Sequence, residues 1–258
     1  MKSLGLVLAL AITALSGALP KPVVAQQKPG NLILIGELTP KPAAVQQFEQ
    51  GLKELAAWHG SIKDPQSRAV FQQITGEKRG TYLIVLRGMH WADLDSSTPS
   101  DEQEQAEFSK AMGDTVAKHV VRTYEEIPKL VHSGSPARNR PAKYYEIDTF
   151  HVPLGKQDRF AAAVARFREA FEKTKAPGDF ICSALSEGGQ FGTWELAFGH
   201  DTAADFGGPP PDEILKNAFG SAEADSIVRE FSDLTGGFFT EEVVQFRPDL
   251  SYFPGEAK

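Results

Sequence analysis

The amino-acid sequence predicts an α+β fold of two tandem βαββαβ units. Two observations predict it: an internal similarity between the halves of the chain, and the same order of strands and helices in each half. The composition agrees, because 258 residues with 41% hydrophobic and 24% charged residues are typical of a folded globular protein. Such a chain is long enough to bury a large core.

The first 25 residues are typical of a secretory signal peptide. Lys2 precedes an apolar run from Leu4 to Leu15, and the small residues Val23 and Ala25 suit cleavage before Gln26. The run is shorter than the roughly 20 residues that a membrane-spanning helix needs. We therefore expect a periplasmic or secreted protein without a membrane anchor after cleavage, and an uncleaved anchor is the alternative.

Charge and cysteine content narrow the function classes. The formal charge of -7 and the lack of a basic run argue against nucleic acid as a partner, because such proteins need clustered Lys and Arg. Cys182 is the single cysteine, so no disulfide can form within the chain. We expect its thiol to be buried and inert.

The internal similarity appears when the chain is shifted against itself. A shift of 112 residues aligns the glycines at 76 and 80 with those at 188 and 192, and a shift of 123 aligns two EFS triplets, at 107–109 and 230–232. The difference between the shifts predicts an insertion at 207–220, with a short helix, in the second half only.

Residue patterns predict the order strand, helix, strand, strand, helix, strand in both halves. In the first half, residues 26–131, the elements are 32–38, 42–59, 69–75, 81–88, 104–118 and 119–124. In the second half, residues 144–258, they are 144–152, 156–174, 180–186, 193–200, 222–234 and 239–247. A linker rich in Pro, Gly and Arg, 132–143, favours neither helix nor sheet. Each half is therefore expected to be a ferredoxin-like sandwich.

The segment YYEIDTFHVPLGKQDRF, residues 144–160, combines a strand, a V-x-x-G-K turn and a helix that begins near a Phe. It resembles the dimeric α/β-barrel superfamily, which includes antibiotic-biosynthesis-monooxygenase-like, EthD-like and NIPSNAP-like domains. The resemblance implies that the two halves form a pseudo-dimer within one chain, and hence a monomer. The first half departs from the pattern, with TPKPAAV at 39–45. No catalytic motif is carried over from the superfamily.

Strand alternation suggests a site inside the second half of the barrel. Glu195 lies opposite the apolar face of its strand, and Glu146 and Asp148 share a strand face that points inward if Ile147 packs on the helices. Buried carboxylates acquire perturbed pKa values, which suits proton transfer. The expected catalytic residues are Glu146, Asp148, Glu195 and His151, and the expected ligand contacts are Arg87, Phe150 and Trp194. The alternative is a solvated rim or a structural ion pair with arginine.

Three functions stay open from the sequence. Of the 17 Phe residues, 14 follow Lys143, which favours an apolar pocket for a small apolar or aromatic ligand in the second half. A cofactor-independent monooxygenase-like or isomerase-like enzyme, using an inward carboxylate or His, is the first alternative. A haem-binding barrel is the second. The six His residues are scattered, so the sequence predicts no metal site and no cofactor.

Overall fold

A computed structural model of the protein describes residues 30–95, 101–133 and 140–255. The predicted signal peptide and residues 134–139, half of the predicted linker, lie outside these ranges. Five α-helices are described, and each packs outside a central sheet: α1 Val45–Ser61, α2 Asp101–Met112, α3 Gln157–Thr174, α4 Pro211–Phe219 and α5 Ser221–Thr235. No helix among the described residues is long and apolar enough to cross a membrane.

Eight antiparallel strands form a closed barrel: β1 Leu32–Pro40, β2 Ala69–Gln73, β3 Tyr82–Met89, β4 Val116–Glu126, β6 Tyr144–His151, β7 Asp179–Glu187, β8 Thr193–His200 and β9 Phe239–Phe246. Their order is β4-β1-β3-β2-β9-β6-β8-β7, and pairing of β4 with β7 closes the ring. Each half thus contributes four strands in the same spatial order. The predicted α+β barrel is confirmed at this level.

Two predicted boundaries are wrong. The second helix ends at Met112, and β4 already begins at Val116, because Gly113 and the turn closed by the Thr115 hydroxyl on the Met112 carbonyl end the helix early. The start of the predicted linker also forms structure, since His132–Ser133 is a two-residue strand, β5, that pairs with β7.

Apolar side chains cover both faces of the sheet. Inside the barrel, residues from both halves pack together, including Ile35, Leu83, Tyr145 and Val244. Outside it, each half has its own layer under its own helices, centred on Phe48 in the first half and on Phe160 in the second. A strand in this barrel therefore lacks the simple alternation of buried and exposed residues, which matters for the predicted site.

Candidate functional site

An open cleft lies in the first half, between the outer face of the sheet and helix α2. Its volume is about 750 Å³, within the range of small-molecule sites. The floor of the cleft includes Gly36, Ile84 and His119. Helix α2 contributes Glu104 and Phe108 to its lining. The lining is mostly apolar, with a few polar groups that could orient a ligand.

The cleft exists because its floor is flat, whereas the matching space in the second half is filled by aromatic rings. Gly36 has no side chain, and a Cβ placed there would find its nearest neighbour, His119 Nε2, 3.8 Å away. In the second half, the Phe231 ring lies 5.1 Å from that of Phe150 and 5.2 Å from that of Phe160. These rings occupy space beneath α3 and α5.

One end of the cleft is formed by a group of charged side chains. Arg68 pairs with the buried Asp64, and its Nη2 atom donates to Glu104 Oε2 at 2.6 Å. The backbone carbonyl of Asp64 accepts a hydrogen bond of 2.7 Å from the Tyr252 hydroxyl. A buried ion pair lowers the stability of the fold unless its groups are fully hydrogen-bonded. The hydrogen bonds within this group hold Arg68 and Glu104 in place.

His59 lies behind this charged group and is 1% exposed. Its Nδ1 atom is 2.8 Å from Asp64 Oδ2, and its Nε2 atom is 3.7 Å from Glu104 Oε1, yet neither contact has hydrogen-bonding geometry. Burial, with a contribution from the charge of Arg68, lowers the pKa of His59 to about 3. The imidazole is therefore neutral at physiological pH.

His119 is the imidazole of the cleft itself. Its ring stacks on that of Phe108 with centroids 5.3 Å apart, and partial burial lowers its pKa from the usual value. A neutral imidazole next to a ligand space can accept a proton, which is the requirement for a general base. No sequence motif marks this residue.

The structure corrects the expected orientation of Glu146 and Asp148. Ile147 and Tyr145 pack inside the barrel, so Glu146, Asp148 and Phe150 lie on the outer, helix-facing side. The prediction assumed that the apolar Ile147 must face the helices. It failed because the barrel interior is itself apolar.

Glu146 and Asp148 instead meet Glu241 of the neighbouring strand β9, with carboxylate oxygens within 4.8 Å of one another. Such a set could hold a divalent cation, although exposed acidic groups often lie together without one. Burial, then repulsion from Glu146 and Glu241, raises the pKa of Asp148 to about 7. The pKa of Glu146 is raised as well, by burial and by Glu241.

Glu195 does face the barrel interior, on the opposite side of the sheet from that cluster. Its Oε1 atom accepts a 2.6 Å hydrogen bond from the Tyr124 hydroxyl of β4. Burial raises the pKa of Glu195, although Tyr124 and the charges of Lys78 and Arg122 act in the opposite direction. The three predicted acids are therefore not brought together.

The remaining predicted residues are also separate from the cleft. Arg87, an expected ligand contact, pairs with Glu126 at 2.5 Å. Phe150 and Trp194 are buried in the core beneath α3, and His151 is exposed at the end of its strand. Cys182 is buried as expected, and burial raises the pKa of its thiol to about 12.

Known protein families and curated protein sequences give no match to this chain. Solved structures do match. An anthrone oxidase-like protein has 12% identity and a TM-score of 0.59 over 87% of this chain and 94% of its own. A proposed monooxygenase of Fusobacterium nucleatum has 9% identity and a TM-score of 0.58 over 83% and 91%. Another, from Lactobacillus acidophilus, has 9% identity and a TM-score of 0.55 over 89% and 98%.

These likenesses show that the chain shares the overall fold of these three proteins. Chlorite dismutases and haem-binding or haem-degrading proteins align with TM-scores of 0.49 or less, too low to bear on function.

Proposed function

We propose that the protein is a cofactor-independent, monooxygenase-like enzyme that oxidises a small, largely apolar aromatic molecule in the cleft of its first half. The observation that carries the proposal is the open cleft of about 750 Å³ with the neutral imidazole of His119 in its floor. The sequence suggested a site in the second half, whereas we propose one in the first half.

In the proposed reaction, His119 removes a proton from an acidic C–H group of the bound molecule. The resulting carbanion is electron-rich enough to reduce dioxygen directly, and the apolar walls keep water away from it. With anthrone as the test substrate, the two hydrogens of one CH₂ group leave, one oxygen atom enters as a carbonyl, and the other leaves as water. The products are anthraquinone and water, and no further reductant is needed.

The test is dioxygen uptake and anthraquinone absorbance with anthrone as substrate. The wild type should exceed the rate in buffer, and His119→Gln should lose about 10²-fold or more of that acceleration, as expected for removal of a general base. His151→Gln is the matched control, because His151 is an exposed imidazole outside the cleft. Equal rates for wild type and His119→Gln would contradict the proposal.

Haem is a second candidate, and the described lining does not fit it. The charged side chains that line the cleft are Arg68, Asp93 and Glu104, and Arg68 is already bound to two carboxylates. The two haem propionates would therefore meet acidic groups without a free cation to pair with. An absorption spectrum of the purified protein tests this directly, because a Soret band would establish haem.

We also propose that the protein is exported, and that its halves are tandem ferredoxin-like repeats forming a monomeric pseudo-dimer. The N-terminal pattern supports export, and the shared strand order of the halves supports the repeat. Mass spectrometry of the mature protein should find Gln26 first, and light scattering should give one chain per particle. The more specific NIPSNAP-like resemblance stays a prediction.

A further inference from the structure

We propose that the cleft selects an aromatic ligand with a protonated amine, and that Glu104 receives this ammonium group. The inference rests on the proposed function, because it assigns a substrate class to the same cleft. It concerns the charged end of the cleft, where Glu104, Arg68, Asp64 and His59 meet.

Glu104 is the member of this group that a ligand can reach. Its side chain is 35% exposed, whereas those of Arg68 and Asp64 are 8% and 0% exposed. Its Oε2 atom accepts a strong bond from Arg68, but its Oε1 atom accepts a longer one, 3.3 Å from Arg68 Nε. Because an ionised carboxylate has about four acceptor positions, Glu104 retains capacity for a further donor.

His59 supplies a second acceptor at the same place. It is 1% exposed, its Nε2 atom has no hydrogen-bond partner, and that atom is 3.7 Å from Glu104 Oε1. With the proton of the neutral ring on Nδ1, next to Asp64, Nε2 is an acceptor. A void of about 10 Å³ has both His59 and Arg68 in its lining.

The charge balance favours a cation over an anion. Arg68 is shared between two carboxylates, His59 is neutral, and the second acid of the lining, Asp93, adds a further negative charge. An ammonium group carries three donors and no acceptor, which matches the remaining acceptor positions of Glu104, and the unpartnered Nε2 atom of His59 lies directly behind that carboxylate. A carboxylate would meet like charge at the same end.

The next turn of α2 after Glu104 indicates that the ligand carries an aromatic ring. Phe108 lies four residues after Glu104, so both project from the same face of α2, about 6 Å apart along its axis. Both line the cleft, and Phe108 also stacks on His119. A ring against Phe108 and His119 would thus place an attached aminomethyl group close to Glu104.

The experiment compares three probes with one ring system: 1-naphthylmethylamine, 1-naphthalenemethanol and 1-naphthoate, which are cationic, neutral and anionic at pH 7. Calorimetric titration should give at least tenfold tighter binding of the amine than of the naphthoate. Glu104→Gln should reduce this preference at least fivefold and leave the alcohol nearly unchanged. Glu107→Gln is the matched control, because Glu107 lies on the same helix but pairs with Lys110 at 3.0 Å.

If the alcohol binds and the amine has no advantage over the naphthoate, this inference is wrong and the proposed function stands. If none of the three probes binds, both fail. If Glu104→Gln unfolds the protein, the salt dependence of the wild type decides: the preference for the amine should weaken between 0.05 and 0.5 M NaCl, as screening requires, and an unchanged preference overturns the inference.

Discussion

His119 and Gly36 face each other across the floor of the cleft, with His119 Nε2 3.8 Å from where a Cβ on Gly36 would lie. Gly36 belongs to β1 and His119 to the adjacent β4. The missing side chain leaves the imidazole nitrogen open to a ligand. The proposed base thus depends on a glycine in a strand, where glycine usually weakens the structure.

Gly36→Val should close the cleft without harming the fold. The Cβ position meets no atom closer than 3.8 Å, and replacing a strand glycine should raise the free energy of unfolding by about 0.5–1 kcal/mol. We expect at least tenfold weaker binding of 1-naphthalenemethanol by calorimetry, with an unfolding midpoint in urea that is equal or higher. Gly207→Val is the control, because Gly207 has open space around it. Unchanged binding would show that the ligand lies elsewhere.

The pH profile should report the state of His119. Burial lowers its pKa below the ordinary value of 6.5, and a general base acts in its neutral form. The kcat/KM for anthrone should therefore decrease at acidic pH, with the midpoint of the decrease below the ordinary histidine pKa of 6.5. The residual activity of His119→Gln should lack this acidic limb. A limb centred above pH 7 would be inconsistent with His119 as the base.

Asp148 should make the protein less stable as pH rises. Its pKa is about 7 in the folded state and close to 3.8 when unfolded, so between these values the folded state binds more protons and stability falls with pH. Asp148→Asn should be more stable than wild type at pH 8, by about 1–2 kcal/mol after allowance for partial solvent screening, and nearly equal at pH 3.5. Urea denaturation at both pH values measures this. An Asn variant that is less stable at pH 8 would contradict it.

His59 should have the opposite effect on the pH dependence of stability, over nearly the same pH range as Asp148. Its pKa is about 3 when folded and 6.5 when unfolded, so the unfolded state binds more protons between these values and stability rises with pH. His59→Gln should lower stability overall but remove this slope, worth about 2 kcal/mol between pH 4.5 and 6.5. Because Asp148 opposes His59, the stability of the wild type should rise with pH less steeply than His59 alone would make it rise. A slope in His59→Gln that matches wild type would refute the burial argument.

The barrel was predictable from sequence because each strand and helix has its own local pattern, as in the apolar stripe of α1 from Phe48 to Leu55. The orientation of β6 was not, because Ile147 inside the barrel and Phe150 under the helices are both apolar. Glu195 was placed correctly because Trp194 and Leu196, on its other side, both pack beneath the helices.

The cleft left little trace in the sequence. Its only signal is Gly36 within the apolar run LILIGEL, which interrupts an otherwise buried strand. Arg68, Glu104 and His119 are far apart in the chain and belong to no motif, so only the fold brings them together. The acidic residues of the second half were selected as candidates because charged residues can be read from a sequence, whereas a cavity cannot.

The most direct test of the cleft as ligand site is a methyl NMR titration of protein labelled at methionine. Met89 lines the cleft, whereas Met112 is buried in the first-half core at 1% exposure. The variants Met89→Leu and Met112→Leu identify their signals, each by the signal that it removes. Addition of 1-naphthalenemethanol should shift the Met89 methyl signal in a saturable manner, through the ring current of the ligand, and shift that of Met112 much less. Saturable binding by calorimetry with an unmoved Met89 signal would contradict the account.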